Sequence, residues 1–298
     1  MPAYRYLHLD VFTSTPLEGN QLAVFPEPRG LTTDAMQAIT REMNFSECTF
    51  IFPRQGPGDV RMRIFTPAEE LPMAGHPVIG STFALALEGA IARGREAFLF
   101  ELGVGPTPVS MQWDDGSLAF AWMTQSLPDV RTSVEDRQVL AAALGVAAVD
   151  LHPGLAAQVV SCGLPYLIVP LVSRDAVDRV QVDRRTLQRG LAAAGLEEVP
   201  VLVFTTEGAE TTYSRMLAPG LGVAEDPATG SAAGPLGCYL LQHRVVAHDA
   251  AAAMLNLQGV AMKRPSRIHM SIDSEGERIT RVRVGGQSVL VGRGELHL

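Results

Sequence analysis

Cysteine is scarce: three residues in 298, Cys48, Cys162 and Cys238, widely spaced and forming no C-x-x-C. That pattern supports neither a disulfide framework nor a thiolate zinc site, so the thiols belong to a reducing compartment or to the core. Basic clusters are missing as well. With 32 acidic against 24 basic side chains, a net charge of -8 and no run of five cations, nucleic acid is not an expected partner. No apolar stretch reaches the roughly 18 residues that a membrane-spanning helix needs. The N-terminus, Met1 to Phe12, carries Arg5, His8 and Asp10 inside its apolar pattern and reads as a strand, not a signal peptide. A cytoplasmic protein without a membrane partner is therefore expected. None of the seven histidines stands in H-E-x-x-H or another close ligand pair, so no metal is expected. Neither a G-K-[ST] phosphate loop nor a strand-linked G-x-G-x-x-G occurs.

What is present is an ordinary globular composition, 47% hydrophobic, 19% charged and 6% aromatic. The length suggests two domains of about 150 residues. Texture changes near Ser126 to Thr132, where an Ala-rich segment begins, which divides the chain into 1–127 and 128–298.

Strands are expected at 6–12 and 21–25, then a helix with Thr32 or Thr33 as cap and Met36, Ile39 and Met43 at helical spacing. Strands at 47–52 and 60–65 lead to a long helix from Pro77 to about Arg93, with proline suited to a first turn. Strands 108–113 and 117–123 flank Asp115-Gly116, a hairpin signal. Helices are expected at 134–144 and 184–194, and strands at 165–172, 200–205 and 213–217, before a Gly-rich helix start at Thr229. Gly285-Gly286, between 279–284 and 287–291, reads as a second hairpin turn.

A weak repeat runs through this order. Arg63-Ile64-Phe65-Thr66-Pro67 precedes Gly75-His76 and a helix, and Arg215-Met216-Leu217-Ala218-Pro219 precedes Gly230-Ser231 and a helix. Each half is either a copy of one unit or an independent strand-loop-helix, since such units recur in unrelated folds.

Both helix starts gather orphan N–H groups at the positive end of a helix dipole, with glycines that let an anion approach the backbone. The plainer reading is that Thr229 or Ser231 merely caps a helix. Glu47 opens an apolar strand: desolvated, its carboxyl would suit general acid/base work, and solvated it is a strand-end charge. Cys48, on the other face, reads as a core thiol. His76, at a helix start, is structural or a neutral hydrogen-bonding imidazole. Asp226 before Pro227 is by default a turn residue.

Taken together, Asp10-Val11-Phe12 to Gly19-Asn20, Asn44-Phe45-Ser46-Glu47, Phe65-Thr66-Pro67, Ala74-Gly75-His76-Pro77, Asp226-Pro227-Ala228-Thr229-Gly230-Ser231-Ala232, Gln258-Gly259 and Arg264-Pro265-Ser266 resemble the phenazine-biosynthesis PhzF-like isomerase family over the whole chain. The resemblance implies an α+β fold of two similar domains, each a curved, mostly antiparallel, barrel-like sheet around a central helix, as in diaminopimelate epimerase, with an interdomain cleft. It implies Glu47, His76 and Asp226 as catalytic residues, and Asn20, Gly75, Gly230 and Ser231 as substrate-binding ones. It further implies proton transfer on a small carboxylate such as trans-2,3-dihydro-3-hydroxyanthranilate, without cofactor, and a homodimer. Cys48, Met73 and Cys162 depart from the residues usual in the family at those places. Two other functions stand beside this one: an amino-acid racemase or epimerase, disfavoured because no cysteine stands at either helix start, and a small-ligand-binding protein without turnover.

Overall fold

The structure, a computed structural model, describes residues 2–298. The first half runs β1 (Ala3–Val11), β2 (Asn20–Phe25), α1 (Thr33–Met43), β3 (Glu47–Pro53), β4 (Val60–Phe65), β5 (Glu70–Leu71), α2 (Gly75–Leu87), β6 (Ala97–Leu102), β7 (Gly105–Asp114) and β8 (Ser117–Gln125). The second runs β9 (Asp129–Val134), α3 (Arg137–Leu144), β10 (Ala157–Ser161), β11 (Pro165–Pro170), α4 (Arg174–Asp178), α5 (Arg184–Ala193), β12 (Val201–Thr206), β13 (Thr211–Ala218), β14 (Val223–Asp226), α6 (Gly230–Gln242), β15 (Met254–Gln258), β16 (Ser266–Glu275), β17 (Arg278–Gly286) and β18 (Ser288–His297).

Strand pairing shows that the repeat is structural. In the first half β1 pairs antiparallel with β2, β2 parallel with β3, β3 antiparallel with β4, β4 antiparallel with β5, and β4 parallel with β6. In the second half β10, β11, β12, β13, β14 and β15 repeat that sequence of orientations step for step. The arginines of the two sequence copies even keep the same kind of partner. Arg63 holds Glu70 with two bonds, 2.7 and 2.5 Å, and Arg215 holds Glu225 with two, 3.0 and 2.7 Å.

The chain separates into two compact units: one up to Gln125 together with Arg264–Arg267 and Arg283–Leu298, the other Ser126–Lys263 with Ile268–Val282. The final strand thus belongs with the first unit, where β18 lies antiparallel to β1. β9, which follows β8 as β18 follows β17 and so closes the first repeat, pairs with β10 in the second unit. Each repeat gives its last strand to the other repeat's first.

Inside each unit lies an apolar helix. From Gly75 to Leu85 of α2, and from Gly230 to Leu241 of α6, every residue is buried. A helix apolar all round can be stable only where neighbours cover every face. Gly80 permits the close approach in the first unit, since a Cβ there would lie 2.5 Å from Leu22 and 2.7 Å from Val11. In the same unit Phe25 stacks on Phe50 at 4.9 Å, and Phe50 meets Phe65 edge-on at 5.6 Å.

Several local expectations change. Val134 ends β9, and α3 starts only at Arg137, because Asp136 caps it by accepting from Gln138 and Val139 N–H at 3.0 Å each. The helix expected from Pro77 starts two residues earlier and ends at Leu87. Asp115-Gly116 forms its hairpin with φ of 46° and 75°, the left-handed pair a two-residue turn requires. Gly285-Gly286 does not turn the chain. Both residues lie within β17 without positive φ, and a Cβ would come within 2.6 Å of Trp122 at Gly285 and 2.5 Å of Phe12 at Gly286. Those glycines make room for aromatic rings.

Candidate active site

In the first unit three elements meet at their starts. Asn20 opens β2, Glu47 opens β3 opposite Leu22, and Gly75-His76 opens α2. His76 is 3% exposed, and its Nε2 faces Glu47 Oε2 at 3.4 Å. Burial pulls the His76 pKa down to about 3, only partly opposed by a hydrogen bond to the Gln21 backbone. The ring is therefore neutral at pH 7, and its approach to Glu47 is neither an ion pair nor a closed hydrogen bond. The tautomer follows from its other neighbour. Ser46 Oγ donates to Asn20 Oδ1 at 2.6 Å, which turns the amide nitrogen to His76 Nδ1 at 3.2 Å, so Nδ1 accepts and the ring proton sits on Nε2. Glu47 keeps 15% of its side-chain surface exposed, a carboxylate both half-walled and reachable.

The turn ahead of Asn20 is tied down independently. Asp10, 1% exposed, receives Arg264 Nη2 at 2.5 Å and Leu17 N–H at 2.6 Å, while Arg264 also donates to the Gly19 and Glu18 carbonyls at 2.7 and 2.8 Å. Gly19 has φ +68°, and a Cβ there would stand 2.3 Å from the Val11 carbonyl oxygen. Glycine is obligatory at that turn.

Cys48, behind Glu47, is fully buried and its thiol is pushed up to about 12 by burial. Cys162 and Cys238 are buried too, sulfur to sulfur at 3.8 Å, and the Cys238 thiol is raised by that neighbour. All three are inert core thiols. Among the described residues no group of three or more His, Cys, Asp or Glu is placed to hold a metal ion.

The second unit builds a different cluster at the start of α6. Thr229 occupies the N-cap position, yet its side chain makes no cap bond; its hydroxyl donates to Asp226 Oδ2 instead. Gln258, at the end of β15, donates to the Asp226 carbonyl at 2.8 Å and to Thr229 Oγ1 at 2.9 Å, and accepts the Thr229 N–H at 3.2 Å. Ser231 bonds Tyr166 through the two hydroxyls at 2.7 Å. Neither hydroxyl at the helix start therefore serves as a side-chain cap, and Asp226 is more than a turn residue. In the first unit Ala74 holds the matching place and offers no side-chain cap either.

Register aligns the two clusters. Cys48 faces Phe65 as Val201 faces Leu217, and Ile64 faces Leu71 as Met216 faces Asp226. Hence Glu47 corresponds to Pro200, Leu71 to Asp226, and His76 to Ser231. Glu47 has no carboxylate counterpart in the other unit. The seven residues singled out from sequence thus fall into two local clusters: Asn20, Glu47, Gly75 and His76 in one unit, Asp226, Gly230 and Ser231 in the other. Sequence reasoning missed Tyr166, whose hydroxyl sits in an otherwise apolar strand without any local signal. It noticed Gln258 only as part of a pattern.

Comparison with known proteins supplies the context. The model of the family described as phenazine biosynthesis-like protein (PhzC-PhzF) matches residues 9–294. A trans-2,3-dihydro-3-hydroxyanthranilate isomerase of Pseudomonas aeruginosa is 36% identical, covering 99% of this chain and 100% of its own. An uncharacterized isomerase of Mesorhizobium japonicum is also 36% identical, with all of both chains covered. The crystal structure of a PhzF-family phenazine biosynthesis protein of Bacillus anthracis superposes with a TM-score of 0.87 at 25% identity over the full length of both. Fold, full-length identity and family model agree: the chain belongs to the phenazine biosynthesis-like PhzC-PhzF family and is a PhzF-like isomerase.

Proposed function

We propose that this isomerase moves a proton on a small cyclic carboxylate of the trans-2,3-dihydro-3-hydroxyanthranilate type, without a cofactor, and that Glu47 carries the proton. The observation that carries the reading is the asymmetry of the two clusters: a reachable carboxylate beside a neutral imidazole at Glu47, and proline in its place at 200. A racemase that works from both faces of a carbon needs an acid/base on each side. An isomerisation in which one carboxyl takes a proton from one carbon and, open to exchange with water, gives a proton back to another needs one. In the proposed sequence the Glu47 carboxylate takes the proton from the carbon bearing the hydroxyl, the ring double bonds shift, and the carboxylic acid so formed delivers its proton to a different ring carbon. The enol so produced then becomes the ketone. His76 Nε2–H stabilises the carboxylate form of Glu47 and loses importance when that group is protonated.

Asp226 is assigned the second catalytic role, as a carboxylate whose geometry is held by Thr229. Gly75, Gly230 and Ser231 are assigned to substrate binding, because glycine admits an anion to backbone donors at a helix start. Asn20, 1% exposed and engaged on Ser46 and His76, is reassigned from binding substrate to setting the imidazole. Cytoplasmic residence and a homodimer enter the proposal on the family resemblance alone.

The test is deuterium uptake from heavy water into dihydro-hydroxyanthranilate and related cyclic carboxylates, with Glu47→Gln as control. Wild type should exchange, and the variant should bind but turn over about 10²–10⁴-fold more slowly. Turnover by the variant within a few-fold of wild type sinks the role of Glu47. Binding without any exchange in the wild type would favour the non-catalytic function instead.

A further inference from the structure

The two units differ in one interior row. Alongside Arg215, strand β13 places Thr212 and Ser214 opposite Asn256 and Gln258 of β15, and these four are 0–2% exposed. The register that matches Arg63 to Arg215, and Phe100 to Asn256 through the parallel pairings, puts Val60, Met62, Phe100 and Leu102 at the same places in the first unit. One copy keeps the row apolar. The other has made it polar, at a cost, because Ser214 Oγ and Asn256 Nδ2 are buried without a protein partner. A polar row this expensive is explained by what its end member touches, and that member is Gln258.

Every hydrogen bond of the Gln258 amide goes to the Asp226–Thr229 corner: two N–H bonds to Asp226 C=O and Thr229 Oγ1, and the carbonyl to Thr229 N–H. The amide cannot be flipped, since its nitrogen faces a backbone carbonyl, which only accepts. A threonine hydroxyl has one proton. With its oxygen occupied by the Gln258 donor, that proton is aimed at Asp226 Oδ2.

We infer that Gln258 is a positioning residue that fixes the direction of the Thr229 hydroxyl proton and so holds the Asp226 carboxylate in a single orientation for the reaction. The inference rests on the proposed role of Asp226. Gln258 touches no reacting atom. It acts through Thr229, so the two form one functional unit, and their removal is not additive.

The experiment measures kcat, KM and thermal midpoint for Gln258→Leu, Thr229→Val, Thr229→Ser and the Gln258→Leu/Thr229→Val double variant of the full chain, with dihydro-hydroxyanthranilate as substrate. Loss of one oriented hydrogen bond to a charged group corresponds to about tenfold in rate. Each of Gln258→Leu and Thr229→Val should lower kcat by that factor with KM changed less, the double variant should be no more than about twofold worse than the worse single one, and Thr229→Ser should return most of the rate. Asn256→Leu, in the same row but away from Asp226, should alter the thermal midpoint and spare kcat. Multiplying losses in the double variant, an Asn256→Leu loss equal to that of Gln258→Leu, or a folded Gln258→Leu protein with wild-type kcat would each overturn the inference. If instead Asp226→Asn is as active as wild type, the role of Asp226 itself falls. An impaired Asp226→Asn beside an unimpaired Gln258→Leu refutes this inference alone.

Discussion

At the residue scale His76 carries the clearest electrostatic consequence. Its folded-state pKa, about 3, lies below the 6.5 of an unfolded histidine, so the unfolded chain binds the extra proton first. Its contribution is complete above pH 6.5 and is lost as the pH falls from 6.5 towards 3. Between pH 7 and pH 4.5 the urea midpoint of the wild type should therefore drop by more than that of His76→Gln, which has no proton to gain; equal drops in the two proteins would contradict a neutral buried ring. Asn20→Asp tests the tautomer. A carboxylate beside Nδ1 pulls the ring proton to that nitrogen and turns a lone pair towards Glu47, so kcat should fall by about 10–100-fold while the fold survives. Unchanged kcat would mean that the imidazole orientation is irrelevant to Glu47. The family pattern names Glu47, His76 and Asp226, and the sequence alone does not say what stands beside each of them. The contacts of Asn20 with Ser46 and His76 were not legible, because an amide that binds a ligand and one that faces a histidine look alike in sequence and differ only in who sits opposite.

At the element scale the chain was legible where local chemistry decides, and misread where packing does. Thr32 accepts the Ala35 N–H and caps α1 as its sequence suggests. Asp115-Gly116 turns because two adjacent residues there adopt positive φ. Gly285-Gly286 has the same turn-like composition, but its glycines answer to Trp122 and Phe12, which arrive from far away in the chain. The two uses of glycine predict different losses. Gly285→Ala sets a methyl 2.7 Å from the Ala121 carbonyl oxygen and 2.6 Å from the Trp122 ring, and backbone cannot yield as a side chain can. A loss of about 1–3 kcal/mol in chemical denaturation is expected. A stability equal to wild type would restore the turn reading. The start of α2 shifted for the same reason, since its first turn holds Gly75 and His76, poor helix formers that are buried there, whereas the start of α3 moved through the local cap at Asp136.

At the scale of the whole molecule the duplication was legible only as a faint echo around Arg63 and Arg215. It becomes plain in the repeated order of parallel and antiparallel neighbours, which depends on register and so lies beyond any local sequence signal. The exchange of final strands was not legible at all, since the partner of β1 begins at Ser288, more than 270 residues on. It predicts that residues 1–127 expressed alone leave the outer edge of β1 bare and give an aggregating, poorly folded product, whereas supplying 283–298 as a peptide should raise its amide protection. A well-folded monomer of 1–127 without the peptide would show that β18 is dispensable.

The same exchange sets an order of events during synthesis. Chains normally fold from the N-terminus as they are made. Here the unit begun first is finished last, because β1 waits for Ser288–His297, while nearly everything the later-made unit needs has been translated by Val282. The unit that contains Glu47 and His76 is therefore completed only after every residue of the other unit has been made, and a message truncated just before Ser288 would yield a chain in which those two side chains are never held by a closed sheet.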